Sequence, residues 1–121
     1  MIGYVMVGTN DMPRAAAFYD ALLKEIGAVR FMESDRFIAW SNAPKQAGFS
    51  INKPHNGNAA TVGNGVMVAF AVEKPVQVVA LYAKAMQLGA TCEGPPGLRG
   101  GTFYAGYFRD LDGNKLNFFC M

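Results

Sequence analysis

Apolar residues recur along this chain with two alternating periods, and the alternation sets out its elements. Ile2-Gly3-Tyr4-Val5-Met6-Val7 is a β-rich run. After it come Ala15, Phe18, Tyr19, Leu22, Leu23 and Ile26, one apolar stripe of a 3.6-residue period that predicts a helix. Asp11 and Pro13 stand at the start of that helix, where a side-chain acceptor caps free N–H groups and proline lacks only an N–H that has no partner. Gly27 stands at its end, where a left-handed residue closes a helix cheaply. Three short β-like segments follow, at about 28–33, 36–41 and 47–53.

The same series then starts again. Val66–Val72 is β-rich, Pro75 opens a stripe of Val78, Leu81, Tyr82, Ala85 and Met86, and Gly89 ends it. Segments at about 90–93, 103–109 and 115–120 complete the second set. The last two flank Asp110-Leu111-Asp112-Gly113-Asn114, a turn by composition. Between the halves lies Asn56-Gly57-Asn58-Ala59-Ala60-Thr61-Val62-Gly63-Asn64-Gly65, which reads as a connecting loop. The expectation is an α+β fold of two β-α-β-β-β modules, residues 1–54 and 65–121 with a linker at 55–64, within one domain. Set side by side, the modules would form a curved eight-stranded mixed sheet with helices outside and a concave face for a small molecule.

Composition narrows the chemistry. With 121 residues, 51% apolar, the chain supports one core without staples. Eleven basic residues against nine acidic ones give +2, and neither sign clusters, so neither nucleic acid nor an anionic membrane is indicated as a partner. No long apolar run or basic leader predicts a membrane span or signal peptide, and two cysteines, Cys92 and Cys120, suit a reducing cytosol. The expected localisation is cytoplasmic. The sharpest limit is the single histidine, His55, which excludes any site needing two imidazoles from one chain.

Several residues carry a resemblance. They are Val7-Gly8-Thr9-Asn10-Asp11-Met12 with Ala17-Phe18-Tyr19, then Val68–Val72, and above all Tyr104-Ala105-Gly106-Tyr107-Phe108-Arg109-Asp110-Leu111-Asp112-Gly113-Asn114-Lys115-Leu116. Over essentially its whole length the chain resembles the vicinal oxygen chelate superfamily of glyoxalases, bleomycin-resistance proteins and extradiol dioxygenases. Leu111 replaces the proline of that superfamily's closing pattern. The resemblance implies a homodimer. It also implies, in metal-dependent members, His or Glu ligands near the start and on the last strand of each module. Those positions fall here on Tyr4, on Met67, on Asn117 and near Ser50 or Asn52. A thioether is soft, and neutral phenol or amide oxygens hold divalent cations poorly without carboxylates, so no metal cofactor is expected.

The leading expectation is therefore a small apolar or aromatic ligand held without metal, with Tyr4, Trp40, Met67, Arg99, Tyr104 and Asn117 as its contacts. Trp40 would form a pocket wall, and Arg99, in the Gly/Pro-rich stretch 94–101, would grip an anionic group. Glu33, Glu73 and Glu93 have no evident proton-transfer partner, and Cys120 in an apolar strand reads as buried rather than nucleophilic. The rival expectations are a metal-dependent lyase, isomerase or dioxygenase with unrecognised ligands, and an assembly domain whose cleft is filled by its own aromatics.

Overall fold

The computed structural model describes all 121 residues, Met1–Met121, and divides the chain into two compact units, Met1–Thr61 and Val62–Met121. The first unit contains β1 (Tyr4–Gly8), α1 (Met12–Lys24), β2 (Val29–Glu33), β3 (Phe37–Ser41) and β4 (Gly48–Asn52). The second contains β5 (Val68–Ala71), α2 (Pro75–Gln87), β6 (Thr91–Leu98), β7 (Tyr104–Arg109) and β8 (Lys115–Cys120). Each unit is the expected β-α-β-β-β module, and the eight strands are hydrogen-bonded as two four-stranded mixed sheets. Their orders are β1-β4-β3-β2 and β5-β8-β7-β6. In each, the first strand runs parallel to the last and the other pairs are antiparallel.

The helix boundaries follow from local chemistry. Asp11 caps α1, its carboxylate accepting from the Arg14 N–H at 3.1 Å. In α2 the cap is Gln77, whose Oε1 reaches back to accept from the Lys74 and Glu73 N–H groups at 2.9 and 3.0 Å. Both helices close the same way. Gly27 (φ 75°) and Gly89 (φ 101°) turn left-handed, and the next residue's N–H returns to a carbonyl five back: Ala28 to Leu23 and Ala90 to Ala85, each at 3.0 Å.

One face of each sheet is buried under its helix. In the first unit Phe18, Tyr19, Leu22 and Leu23 of α1 cover Ile38, Trp40, Phe49 and Ile51, all nearly inaccessible. Tyr19 stands 4.7 Å from Phe49 and 5.8 Å from Trp40, ring centre to ring centre. In the second unit Val78, Leu81 and Ala85 are buried on the α2 side, where Phe118 stacks between Phe70 and Phe108 at 5.4 and 5.6 Å. Gly106 belongs to this side too, since a side chain there would meet the Tyr82 ring at 3.2 Å.

One strand runs further than the sequence predicts. Residues 94–98 continue β6 through Gly94-Pro95-Pro96-Gly97. The ladder to β7 slips twice, between Cys92 and Gly94 and between Gly94 and Gly97. Prolines lack the N–H a central strand would need, but β6 is an edge strand with one neighbour, so they are tolerated there.

Candidate functional site

The faces away from the helices decide what each module can hold. In the first module, strand alternation turns Tyr4 and Met6 of β1, Phe37, Ala39 and Ser41 of β3, and Gly48, Ser50 and Asn52 of β4 to this open face. The registers pair Tyr4 with Gly48, Met6 with Ser50 and Ala39 with Ser50, so large residues at the edge stand beside small ones at the centre. A bulge in β2 completes the wall. Arg30 pairs with Trp40 and Met32 with Ala39, so Phe31 is the extra residue, and both Phe31 and Met32 face the open side. The Phe31 ring lies over Gly48, 3.2 Å from where a Cβ would be.

The result is a concavity of about 740 Å³ wholly within the first module. Its walls are Tyr4, Met6, Val29, Phe31, Met32 and Phe37, and its floor is Ala39, Gly48 and Ser50. At one end the β3–β4 connection contributes Asn42, Ala43, Pro44, Lys45 and Gln46. Tyr4 and Val29 keep 65% and 67% of their surface exposed, so a substantial apolar area faces solvent across this sheet. The Ser50 hydroxyl is committed, donating to the Val5 carbonyl at 3.1 Å.

Arg30 braces the opposite side of β2. Its guanidinium donates to Asp20 at 2.6 and 2.9 Å and to Glu33 at 2.7 Å, and lies over the Trp40 ring at 5.9 Å. The same guanidinium holds the Asp20 carboxyl below its usual value, aided by the Trp40 indole N–H at 2.9 Å.

The second module covers its open face with more of its own side chains. Its open face carries Ala69 and Ala71 of β5, Ala105, Tyr107 and Arg109 of β7, and Lys115, Asn117 and Phe119 of β8. Arg99 and Lys115 both lie over the Tyr107 ring, at 5.5 and 5.8 Å, and Phe103 stacks on Phe119 at 5.2 Å. Arg109 donates to Glu93 at 2.5 Å and holds that carboxyl below its ordinary value.

Of the six expected contacts, Tyr4 alone lines the concavity. Trp40 sits on the other face of the sheet, 2% exposed and hydrogen-bonded to α1, so it is core rather than wall. Arg99 folds back, donating to the carbonyls of Pro95 and, at 3.4 Å, Leu98. Tyr104 is half-buried and in phase with Gly106 and Phe108, on the α2 side. Met67 is exposed just ahead of β5. Asn117 faces the open side fully buried, with no hydrogen-bond partner for either amide atom.

Met6, Phe31, Met32 and Phe37 line the concavity and are not among the six expected contacts. A signal for them exists: Ile38, Trp40, Phe49 and Ile51 are large while Ala39, Ser41, Gly48 and Ser50 are small, an alternation that marks a lowered floor. The positions implied for a divalent metal do not fit one. A phenol, a thioether, a carboxamide and a hydroxyl already donating to a carbonyl contain no imidazole or carboxylate. His55 is exposed in the turn after β4.

Comparison with known proteins agrees with this architecture. Residues 1–118 match the model of the glyoxalase/bleomycin resistance protein/dioxygenase superfamily. The chain belongs to that superfamily. A glyoxalase/bleomycin resistance protein from Albidiferax ferrireducens T118 is 38% identical and superposes with a TM-score of 0.91, covering all of this chain and 98% of its own. A superfamily enzyme from Burkholderia phytofirmans PsJN (18% identity, TM-score 0.78, 98% and 96% covered) shares the fold. So does a hypothetical protein from S. aureus (22%, 0.78, 100% and 93%). No curated protein matches the sequence. Superfamily members built on this duplicated module differ in chemistry, so the site itself must carry the functional argument. Neither helix is long and apolar enough to cross a membrane.

Proposed function

We propose that this superfamily member binds a small apolar or aromatic molecule on the open face of its first module, without a catalytic metal and in the cytoplasm. The observation carrying this reading is the 740 Å³ concavity walled by Tyr4, Met6, Phe31, Met32 and Phe37 over a floor of small residues. Pockets of this size and apolar lining bury most of a drug-sized ligand. The relative from Albidiferax ferrireducens is described as a glyoxalase/bleomycin resistance protein, and the second half of that description fits binding without turnover. The free cysteines, exposed Cys92 and buried Cys120, suit a reducing compartment.

The test is titration with Nile red, a neutral probe whose emission rises in apolar surroundings. The native chain should bind it, and Met6→Asp should weaken binding by at least about tenfold, because a charge would then face the ligand. Unchanged binding in a folded Met6→Asp protein would overturn the reading. Elemental analysis addresses the rival: stoichiometric zinc, nickel, manganese or iron would favour a metal-dependent lyase, isomerase or dioxygenase.

A further inference from the structure

The concavity is apolar on its walls and floor, but its rim is not. Among the residues lining it, Lys45 is the only one with a charge. Its ammonium makes no hydrogen bond or ion pair with the protein, and no acidic residue lines the space it borders. Lys45 is also the one non-glycine residue with a left-handed backbone, φ 65°. That conformation disfavours any L side chain, and glycine or asparagine would fit the turn at lower cost. The local fold therefore gives no reason for a lysine here, whereas a ligand's charge would. Next to it are the side-chain amides of Asn42 and Gln46, neutral groups able to donate hydrogen bonds, while the Ser41 hydroxyl already donates to the Ala43 carbonyl at 2.9 Å.

We infer that the ligand of this face is an organic anion, with an aromatic or aliphatic body packed on Tyr4, Phe31 and Phe37 and a carboxylate-like group held at the rim by Lys45. This rests on the first-module face being a ligand site, and it adds the charge and polarity of the occupant. Lys45 is a specificity residue: it selects among apolar ligands of one shape by a charge interaction at a half-solvated rim. Such an interaction is modest and weakens with salt.

The test uses two probes of the same shape, naphthoate, anionic at neutral pH, and naphthamide, neutral, each displacing Nile red from the native chain. Naphthoate should displace it at about threefold to tenfold lower concentration than naphthamide, a preference that shrinks at high salt. In Lys45→Gln the preference should vanish while naphthamide competes as before. Lys45→Gly, whose backbone suits the turn, should give the same result in a chain whose circular dichroism matches the native one. If both probes compete but naphthoate gains nothing from Lys45, the charged-ligand inference fails and the apolar site stands. If Nile red does not bind, the site itself fails and the inference with it. If sedimentation shows a dimer that Met32→Asp dissociates, and neither probe binds the native chain, a second copy covers this face and both readings are overturned.

Discussion

The two modules share one wiring and nearly identical helix closures, yet their open faces have gone in opposite directions. In the first, Gly48, Ser50 and Ala39 leave a floor that nothing from the module refills. In the second, Arg99 and Lys115 both lie over Tyr107, Phe103 stacks on Phe119, and Arg109 is paired with Glu93. Duplication supplied two copies of a sheet with one buried side, and the helix side stayed under the packing demands of the core. The other side was free to change, and the first copy kept an open, apolar concavity.

If the helix sides are equivalent, breaking either should cost alike. Phe49→Ala and Phe118→Ala remove rings that are 4% and 0% exposed. Each should lose about 3–5 kcal/mol in denaturant unfolding. A large loss in one and a small loss in the other would show that only one module carries the stability.

A smaller effect of opposite sign is expected at Asn117. Both its amide atoms are buried without partners, and such groups cost about 1–3 kcal/mol between them and their surroundings. Asn117→Leu, similar in volume, should therefore raise the unfolding free energy by about 1 kcal/mol or more. A destabilised variant would mean that the amide is in fact satisfied.

Gly48→Val sharpens the contrast between the open faces. Even a Cβ meets the Phe31 ring at 3.2 Å, so the ring must tip into the concavity. Nile red affinity should fall several-fold, with a stability change within about 1 kcal/mol, because Phe31 is half-exposed and can move. Affinity unchanged would remove Phe31 from the wall.

The smallest effect lies in the ion pair that braces β2. The Asp20 carboxyl is held below its reference value of 3.8, chiefly by Arg30, so ionisation is favoured in the folded chain. Its contribution is present above that value and is lost as pH falls through the lower, folded value. Asp20→Asn should cost about 0.5–1 kcal/mol at neutral pH, reduced by solvent because the side chain is 42% exposed, and nothing in strong acid. A deficit that persisted in acid would place the effect in packing rather than charge.

Much of this architecture is legible in the sequence because it rests on local rules. The helix stripes, the Asp11 cap, Gly27, Gly89 and the Asp110–Asn114 turn each fix a boundary, and repetition fixes the wiring. In that turn Asp110 accepts from the Asp112 and Asn114 N–H groups and the Asn114 side chain, each at 2.9 Å. The open face is less legible because a strand's parity is not local. A one-residue shift moves every side chain to the other face, and bulges introduce such shifts without a clear signature. Trp40, whose sequence suggests a pocket wall, lies against α1 for this reason. The run Gly94–Gly97 reads as a loop because edge pairing that tolerates proline depends on a neighbouring strand far along the chain.

The bulge in β2 has a consequence for how this concavity can be altered. Because Phe31 is the supernumerary residue, deleting it would leave Val29, Arg30 and Met32 in their present registers and remove one wall outright. The edge position of β2 means no outer strand in its sheet would have to be re-paired. The shape of the open face is thus adjustable by chain length as well as by side-chain identity, and a single codon lost or gained there would redraw the outline of the concavity while the core stayed as it is.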